Sequence, residues 1–167
     1  QFTSKLAGAH SREELEKGVL EFYAETFSLR GAALFLRDRE GGCFRCSACF
    51  ENEAEQLCFE EGHPILTRMG GQDWVIGLDE EDDSLLVGDW ARLRAMGASF
   101  LVPLRFENTL EGFIVLGRRI YQQERMTYED FDLMKILAHQ TIGVLLSRKL
   151  YADLAAANEM AAIGRVS

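Results

Sequence analysis

The chain has 167 residues, of which 47% are hydrophobic and 27% charged, and its formal net charge is −9. This composition supports one packed domain and argues against disorder. The negative charge argues against nucleic acid or an anionic membrane as a partner, because both attract Lys/Arg patches. The apolar runs fall far short of the roughly 18 residues that span a bilayer, and no stretch reads as a signal peptide. We expect a cytoplasmic domain without direct membrane contact, and Gln1 in place of Met indicates a piece of a longer protein, which could carry its own membrane anchor.

The first third of the chain predicts a helix followed by a β-hairpin. Ser11 and Glu14 form a capping-box pattern, and apolar residues then recur at helical spacing, which predicts a helix over 12–27. The apolar run GAALFL is typical of a buried strand. Turn residues over 38–42 lead into a second strand, CFRCSACF.

Three cysteines in that second strand, Cys43, Cys46 and Cys49, have a spacing that is also seen at metal and iron–sulfur sites. On a regular strand, successive side chains point to opposite faces, which separates Cys46 from the other two. We therefore expect no metal site, a buried Cys46 and two thiols on the outer face. With Cys58, all four cysteines are expected to be reduced.

The middle of the chain, 52–97, is predicted to be mixed. Pro64 opens a short helix, WVIGL is a short strand candidate, and LLVGDWARLRAM shows helical spacing. The acidic run 79–83 lacks the alternating spacing of a calcium loop and is expected to be a solvated loop. Two strands, SFLVPLRFE and TLEGFIVLGRRI, follow with a short turn at Asn108. Pro103 predicts an edge or a bulge in the first of them.

The last 40 residues predict one helix about 60 Å long, too long to be buried on a domain of this size. It begins at a capping-box pattern, Thr127 to Asp130. One apolar stripe is expected to cover the sheet: Phe131, Met134, Ala138, Ile142 and Leu145. A second stripe keeps the four–three spacing of a coiled-coil seam and predicts a homodimer interface: Ile136, Gln140, Gly143, Ser147, Leu150, Leu154, Ala157 and Ala161.

The order of these elements, together with three strings, resembles the GAF family, a relative of PAS domains. The strings are GAALFL, LRAMGASFLVPLRFENTLEGFIVLGRR and MTYEDFDLMKILAHQTIGVLLSRKLY. The resemblance implies an α+β fold of the GAF/PAS type: an antiparallel sheet of five to six strands, flanking helices and a long C-terminal helix. It implies a GAF domain over 1–148 and a signalling helix over 149–167.

The final residues, ANEMAAIGRVS, resemble the linker that precedes the phosphoacceptor box in bacterial sensor histidine kinases. This resemblance implies a downstream kinase core in the same chain, and the kinases linked to exopolysaccharide and PEP-CTERM systems are the suggested group. It also implies that the fragment is a non-catalytic sensory domain of a two-component kinase. Two alternatives stay open: an enzyme of the free methionine sulfoxide reductase type, which shares the fold, and a dimerisation spacer without a ligand.

The resemblance further implies a small-molecule pocket between the sheet and the middle helices, although a filled core would use the same residues. Its expected lining is Cys46, Phe50, Trp74, Ile76, Trp90, Leu93, Phe100 and Val102. The sequence motifs that mark cyclic-nucleotide and bilin-binding members are absent, so the ligand or cofactor is not identified. His139 lacks the acidic neighbour of a phosphoacceptor and is expected to be a partly buried, hydrogen-bonded histidine.

Overall fold

A six-stranded antiparallel sheet with the strand order β3-β2-β1-β6-β5-β4 forms the centre of the molecule. The computed structural model describes residues 11–38, 40–51, 54, 57–71, 75–78, 89–95, 97–121 and 125–166, with the backbone alone at 89–90, 92, 151–152 and 160–166. The strands are β1 (Ala32–Asp38), β2 (Cys43–Phe50), β3 (Cys58–Glu60), β4 (Ile76–Gly77), β5 (Phe100–Phe106) and β6 (Thr109–Leu116). The helices are α1 (Arg12–Phe27), α2 (Pro64–Gly70), α3 (Asp89–Ala95) and α4 (Tyr128–Val166). The predicted α+β fold is confirmed, with six strands.

The first helix, α1, has the predicted bounds because both of its ends are capped. At its start, the Ser11 hydroxyl accepts a hydrogen bond from the Glu14 amide at 3.1 Å. At its end, Ser28 adopts a left-handed conformation and donates its N–H to the Ala24 carbonyl. The face between these caps is buried against the sheet.

Each face of the sheet carries its own apolar core. On one face, α1 and α4 pack on residues such as Leu34, Val102 and Ile114. On the other face, α2 and α3 cover an aromatic group formed by Phe35, Phe44, Phe59 and Phe113. Because side chains alternate along β1, β5 and β6, each of these strands contributes to both cores. The sheet is therefore a middle layer between two helical layers.

Strand β2 does not keep the strict alternation expected for CFRCSACF. Its partner β1 places Leu34 opposite Ala48 and Phe35 opposite Cys46, so Ser47 is an extra residue at a β-bulge. The bulge reverses the alternation, and Cys46 and Cys49 pack against the same core. The expected separation of these two thiols is therefore wrong. The expectation of an exposed Cys43 is also wrong, because Cys43 lies between β1 and β3 and is buried.

The hairpin of β5 and β6 contains the irregularity expected near Pro103. Pro103 lies opposite Phe113, and the register shifts one residue later, between Leu104 and Arg105. The strands are joined by a two-residue loop in which Glu107 and Asn108 both have positive φ angles, 49° and 64°. Two central residues with positive φ define a type I′ turn, which favours Asn-Gly.

We expect the double replacement Glu107→Asn and Asn108→Gly to raise the free energy of unfolding by about 1 kcal/mol, because these residues adopt positive φ at lower cost. Urea denaturation measures the change. Glu107→Gln is the matched control, since it keeps an unbranched long side chain at the strained position and should leave stability unchanged. A gain in the control equal to that of the double variant would contradict the turn as its cause.

The long helix α4 spans 39 residues, about 58 Å at 1.5 Å per residue. It begins at the predicted capping box: the Asp130 carboxylate accepts from the Thr127 amide at 2.8 Å, and the Thr127 hydroxyl accepts from the Asp130 amide at 3.2 Å. The stripe expected to cover the sheet does so, with Met134, Ala138 and Ile142 buried and Phe131 and Leu145 packed beside them.

A buried polar contact joins α1 to α4. The Thr141 hydroxyl donates to the Leu137 carbonyl at 2.7 Å, so the Tyr23 hydroxyl, 3.3 Å from the Thr141 oxygen, is the donor in their contact. Burial raises the pKa of Tyr23 well above its ordinary value, although the hydrogen bond to Thr141 opposes this, and the phenol is neutral. The contact holds the two helices in one register.

Removal of the Tyr23 hydroxyl and removal of the Thr141 hydroxyl are expected to lower the free energy of unfolding by different amounts. Thr141→Val leaves the buried Tyr23 hydroxyl without its acceptor and should cost about 1–3 kcal/mol, whereas Tyr23→Phe removes the donor and should cost about 0.5–1.5 kcal/mol. The double variant should be close to Tyr23→Phe alone. Chemical denaturation of the three variants measures this cycle, and a Thr141→Val cost below that of Tyr23→Phe would contradict the assigned direction of donation.

Arg119, just after β6, connects the end of α1 to the start of α4. Its guanidinium donates to the Phe27 carbonyl and the Arg125 carbonyl, each at 3.2 Å, and lies 3.7 Å from the Asp130 carboxylate. One side chain thus contacts the last turn of α1 and the cap of α4. The position of α4 is set at this joint as well as along its packed face.

Candidate functional site

A groove of about 870 Å³ lies between α1, the β1–β2 hairpin and α4, on the sheet face that the two long helices cover. Pockets for small molecules have volumes in this range. Its apolar lining comes from both helices and β1: Leu15, Leu36, Ile142, Leu145 and Leu146. Its charged side chains are Arg12, Glu16, Arg37, Asp38, Glu40, Arg45, Glu111, Arg148, Lys149 and Asp153. The groove is therefore amphipathic.

Glu16 is the buried charged residue of this groove, with 2% of its surface exposed. Its two carboxylate oxygens accept from different elements: Oε1 from Arg12 Nε at 2.8 Å and Oε2 from the Ser47 hydroxyl at 2.5 Å. The β2 bulge is what aims Ser47 at α1. Arg12 itself is 69% exposed, so the carboxylate has one partner on the strand and one partner that lies largely in solvent.

At the mouth of the groove, the turn after β1 is held by Asp38. The Asp38 carboxylate accepts from the Glu40 amide at 3.1 Å and from Arg45 Nε at 3.0 Å. Hydrogen bonds from the Glu40 and Gly41 amides, and then Arg45, hold the pKa of Asp38 below its ordinary value. Asp38 is thus charged at neutral pH and engages Arg45.

The residues predicted to line one pocket lie on both faces of the sheet. Cys46, Ile76 and Leu93 belong to the aromatic core on the α2–α3 side. Phe50, Phe100 and Val102 belong to the core under α1 and α4. Trp74 and the side chain of Trp90 lie outside the described residues. The prediction of one shared pocket therefore does not match the positions of its described members, because the β2 bulge and the alternation along β5 divide them.

A smaller cavity of about 130 Å³ lies on the α2–α3 side, where the pocket was expected. Leu93, Val115 and Gly117 are among the residues that line it. Of the predicted pocket residues, Leu93 lines this cavity and Cys46 lines the larger groove. Ligand binding by the predicted residues stays a prediction.

Glu16 and the leucines of the groove were not predicted from the sequence to line a ligand site. The signal was present in part: Glu16 lies beside Leu15 on the apolar face of α1, and it is four residues after Arg12. A carboxylate on a buried face needs partners. The partner Ser47 is 31 residues away in the chain, so no local pattern indicates the pair.

The predicted seam of α4 is exposed along its described length. Ile136, Leu150 and Leu154 have 55%, 61% and 51% of their surfaces exposed. Gln140, Gly143, Ser147 and Ala157 are exposed as well, and the side chain of Ala161 lies outside the described residues. Leu133, one step earlier in the same spacing, is also exposed. The apolar seam residues contact no part of the described domain that would bury them.

Three other expectations concern isolated groups. His139 is exposed on α4, so the expectation of a partly buried histidine is wrong: it lies on the side of the helix that faces away from the sheet. The acidic run 79–83 lies outside the described residues. Within the described ranges, no three His, Cys, Asp or Glu side chains group closely enough to hold a metal ion, and no helix there is both long and apolar enough to cross a bilayer.

Comparison with known proteins identifies the fold and the family. The structure is similar to the GAF domain of a two-component sensor histidine kinase from Bacillus halodurans, with a TM-score of 0.66, 14% identity and coverage of 86% of this chain and 99% of that one. It is similar to the GAF domain of a phosphoenolpyruvate-protein phosphotransferase from Coxiella burnetii (TM-score 0.72, 17% identity, coverage 91% and 93%). It is also similar to residues 122 to 287 of a methyl-accepting chemotaxis protein, with a TM-score of 0.67, 14% identity and coverage of 90% of this chain and 98% of that one.

No curated protein matches the chain in sequence. A family model described as GAF domain matches residues 11–143, which run from the cap of α1 to the middle of α4. The match covers the whole sheet, the buried residues of both cores and the turns of α4 up to Gly143. The chain belongs to the GAF domain family.

Proposed function

We propose that this chain is the sensory or regulatory GAF domain of a two-component sensor histidine kinase and that it transmits its signal through a parallel pair of α4 helices. One observation carries the proposal: the predicted seam of α4 is exposed, because the described part of the domain does not cover it. Exposed large apolar side chains at a regular spacing mark a surface for another protein. A spacing of 3.5 residues fits a second helix of the same kind.

The composition of the stripe fits a signalling helix more closely than a rigid coiled coil. Leu150 and Leu154 occupy consecutive seam positions, and small or polar residues flank them: Gly143 and Ser147 before them and Ala157 after them. Polar residues at seam positions lower the stability of a coiled coil. A seam of low stability allows two registers or rotations of similar energy, and a signal shifts their populations.

The proposed output is a histidine kinase because the last residues resemble the linker before a phosphoacceptor box. The similarity of fold to the GAF domain of the Bacillus halodurans kinase agrees with this setting. The sequence of the parent gene after this chain tests it. A histidine followed by Asp or Glu within the next thirty codons, and an ATP-binding domain further downstream, is the expected result, and any other output domain overturns the kinase assignment.

Light scattering on the purified chain tests the α4 pair. We expect twice the chain mass for the wild type and the single chain mass for Leu150→Glu/Leu154→Glu, because buried unpaired carboxylates oppose association. The matched control, Ala155→Glu/Ala156→Glu, adds the same two charges at exposed positions outside the seam and should stay dimeric. A monomeric wild type at micromolar concentration, or equal dissociation of the control, would refute the proposed seam.

A further inference from the structure

We infer that the groove between α1, the β1–β2 hairpin and α4 binds a small amphiphilic organic cation, a molecule with an apolar body and one ammonium group. The inference assigns a ligand class to a face of the sheet opposite the one on which a pocket was predicted. It rests on three properties of the groove: its apolar walls, its preorganised Glu16 carboxylate, and the burial of that carboxylate alone among the charged side chains of the lining.

The walls suit an apolar body of a few carbon atoms. Leu15 and Ile142 are buried, while Leu36, Leu145 and Leu146 are half-buried and keep part of their surface available to the groove. Removing apolar surface from water is favourable. A short alkyl or aryl group that covers these leucines would therefore gain binding free energy from both partners.

The buried carboxylate of Glu16 suits the ammonium group. Ser47 holds Oε2 in place from the strand side, so the carboxylate is preorganised. Arg12 occupies Oε1 from the solvent side, with 69% of its own side chain exposed. A ligand ammonium could replace the Arg12 guanidinium at Oε1 while that guanidinium returns to water, and the carboxylate would keep two donors.

The burial of charge in the groove favours a cation over an anion. The lining carries five acidic and five basic side chains, so its formal charge is balanced. Of these ten side chains, only that of Glu16 is buried, whereas the other nine are half-buried or exposed. The charged group that a ligand would meet away from water is therefore a carboxylate, and an ammonium group complements its sign.

The groove also places the ligand against the output helix. Ile142, Leu145 and Leu146 belong to the turns of α4 that pack against the sheet, and Ser147 and Leu150 of the predicted seam follow them along the helix. A ligand here would contact α4 directly. That the ligand acts as a signal rests on the proposed function, whereas its binding does not.

The test uses the 167-residue chain with three probes that share one alkyl body: n-hexylamine, hexan-1-ol and hexanoate at pH 7. We expect n-hexylamine to raise the melting temperature most and to shift the methyl resonances of Ile142 and Leu145. Glu16→Gln keeps a side-chain oxygen for Ser47 and removes the charge, and it should weaken n-hexylamine binding at least tenfold. The matched control Glu13→Gln removes an exposed charge from the same helix and should bind as the wild type does.

Three results would overturn the inference: hexanoate or hexan-1-ol binding as tightly as n-hexylamine, unchanged affinity in Glu16→Gln, or ligand shifts confined to Leu93 and Ile76 on the other face. If Glu16→Gln does not fold, the three probes on the wild type still decide the sign of the ligand. Light scattering on the same samples reports the α4 pair independently. A failure of binding is therefore distinguishable from a failure of dimerisation.

Discussion

Gly112→Ala is expected to destabilise the domain by about 3 kcal/mol or more, the upper end of the range for overpacking. Gly112 lies in β6 between Leu36 and Leu104, at the centre of the sheet. A Cβ atom there would lie 2.9 Å from Leu36 Cδ2 and still closer to the Phe35 carbonyl oxygen. The leucine could move, but the carbonyl belongs to the neighbouring strand, so the β1–β6 ladder itself would have to shift.

The matched control for this prediction is Gly143→Ala. Gly143 lies in the middle of α4 and has no atom within 4 Å of the position that a Cβ would take. Alanine is favoured over glycine inside a helix by about 1 kcal/mol, so this variant should be as stable as the wild type or slightly more stable. Urea denaturation in the Leu150→Glu/Leu154→Glu background keeps the measurement free of association. A cost below 1 kcal/mol for Gly112→Ala would show that β1 and β6 are further apart than the structure has them.

Phe113→Ala is expected to cost about 3–5 kcal/mol, the usual range for removing a buried phenylalanine. Its ring stacks on Phe35 at a centroid distance of 4.8 Å and an interplanar angle of 4°. It also meets Phe59 at 5.7 Å and Phe44 at 6.1 Å. These rings come from β1, β2, β3 and β6, so the cavity would open where four strands contribute to one core.

Phe106→Ala is the control for this second prediction. Phe106 lies at the end of β5 in the same hairpin, but its side chain is 45% exposed. Its removal should cost about 1 kcal/mol or less, because less apolar surface is returned to water. The same denaturation experiment compares both variants. Equal costs for the two would contradict the position of Phe113 at the centre of the aromatic core.

The Phe113 variant separates the stability of the domain from its proposed output. Phe113 lies in the core opposite α4, whereas the seam and the groove lie on α4 and α1. Gly112 lies beside Leu36 of the groove, so Gly112→Ala reports on stability alone. A variant such as Glu16→Gln changes the groove without touching the aromatic core. Loss of ligand binding with normal stability can then be assigned to the groove itself.

Elements that depend on local patterns could be predicted from the sequence. The bounds of α1 followed from its capping box and its apolar period, and both helices that begin at such a box were found. The two stripes of α4 were also distinguished, one on the sheet and one exposed, because a helix places residues three and four apart on one face. The hairpin of β5 and β6 followed from alternation around a short polar turn.

Features that depend on pairing between distant strands could not be predicted in the same way. A β-bulge exists only relative to a partner strand, so the bulge at Ser47 could not be recognised in the string CFRCSACF. The bulge reverses the alternation of side chains along β2. Cys46 therefore shares a face with Cys49 and not, as predicted, with Phe50. The short length of β4 likewise depends on what packs against it.

The sequence by itself determined the two long helices and the strands β1, β2, β5 and β6, the family to which their order belongs, and the exposed stripe of α4, because these follow from residue spacing along one segment. The three-residue strand β3 was not predicted. Only the tertiary structure decided which face of the sheet each residue of β2 occupies, and that Glu16 lies under Ser47 in a groove beside α4. Both depend on contacts between residues far apart in the chain. No periodicity within one segment encodes the position of another segment, so the candidate ligand site became visible only when α1, the β1–β2 hairpin and α4 were assembled.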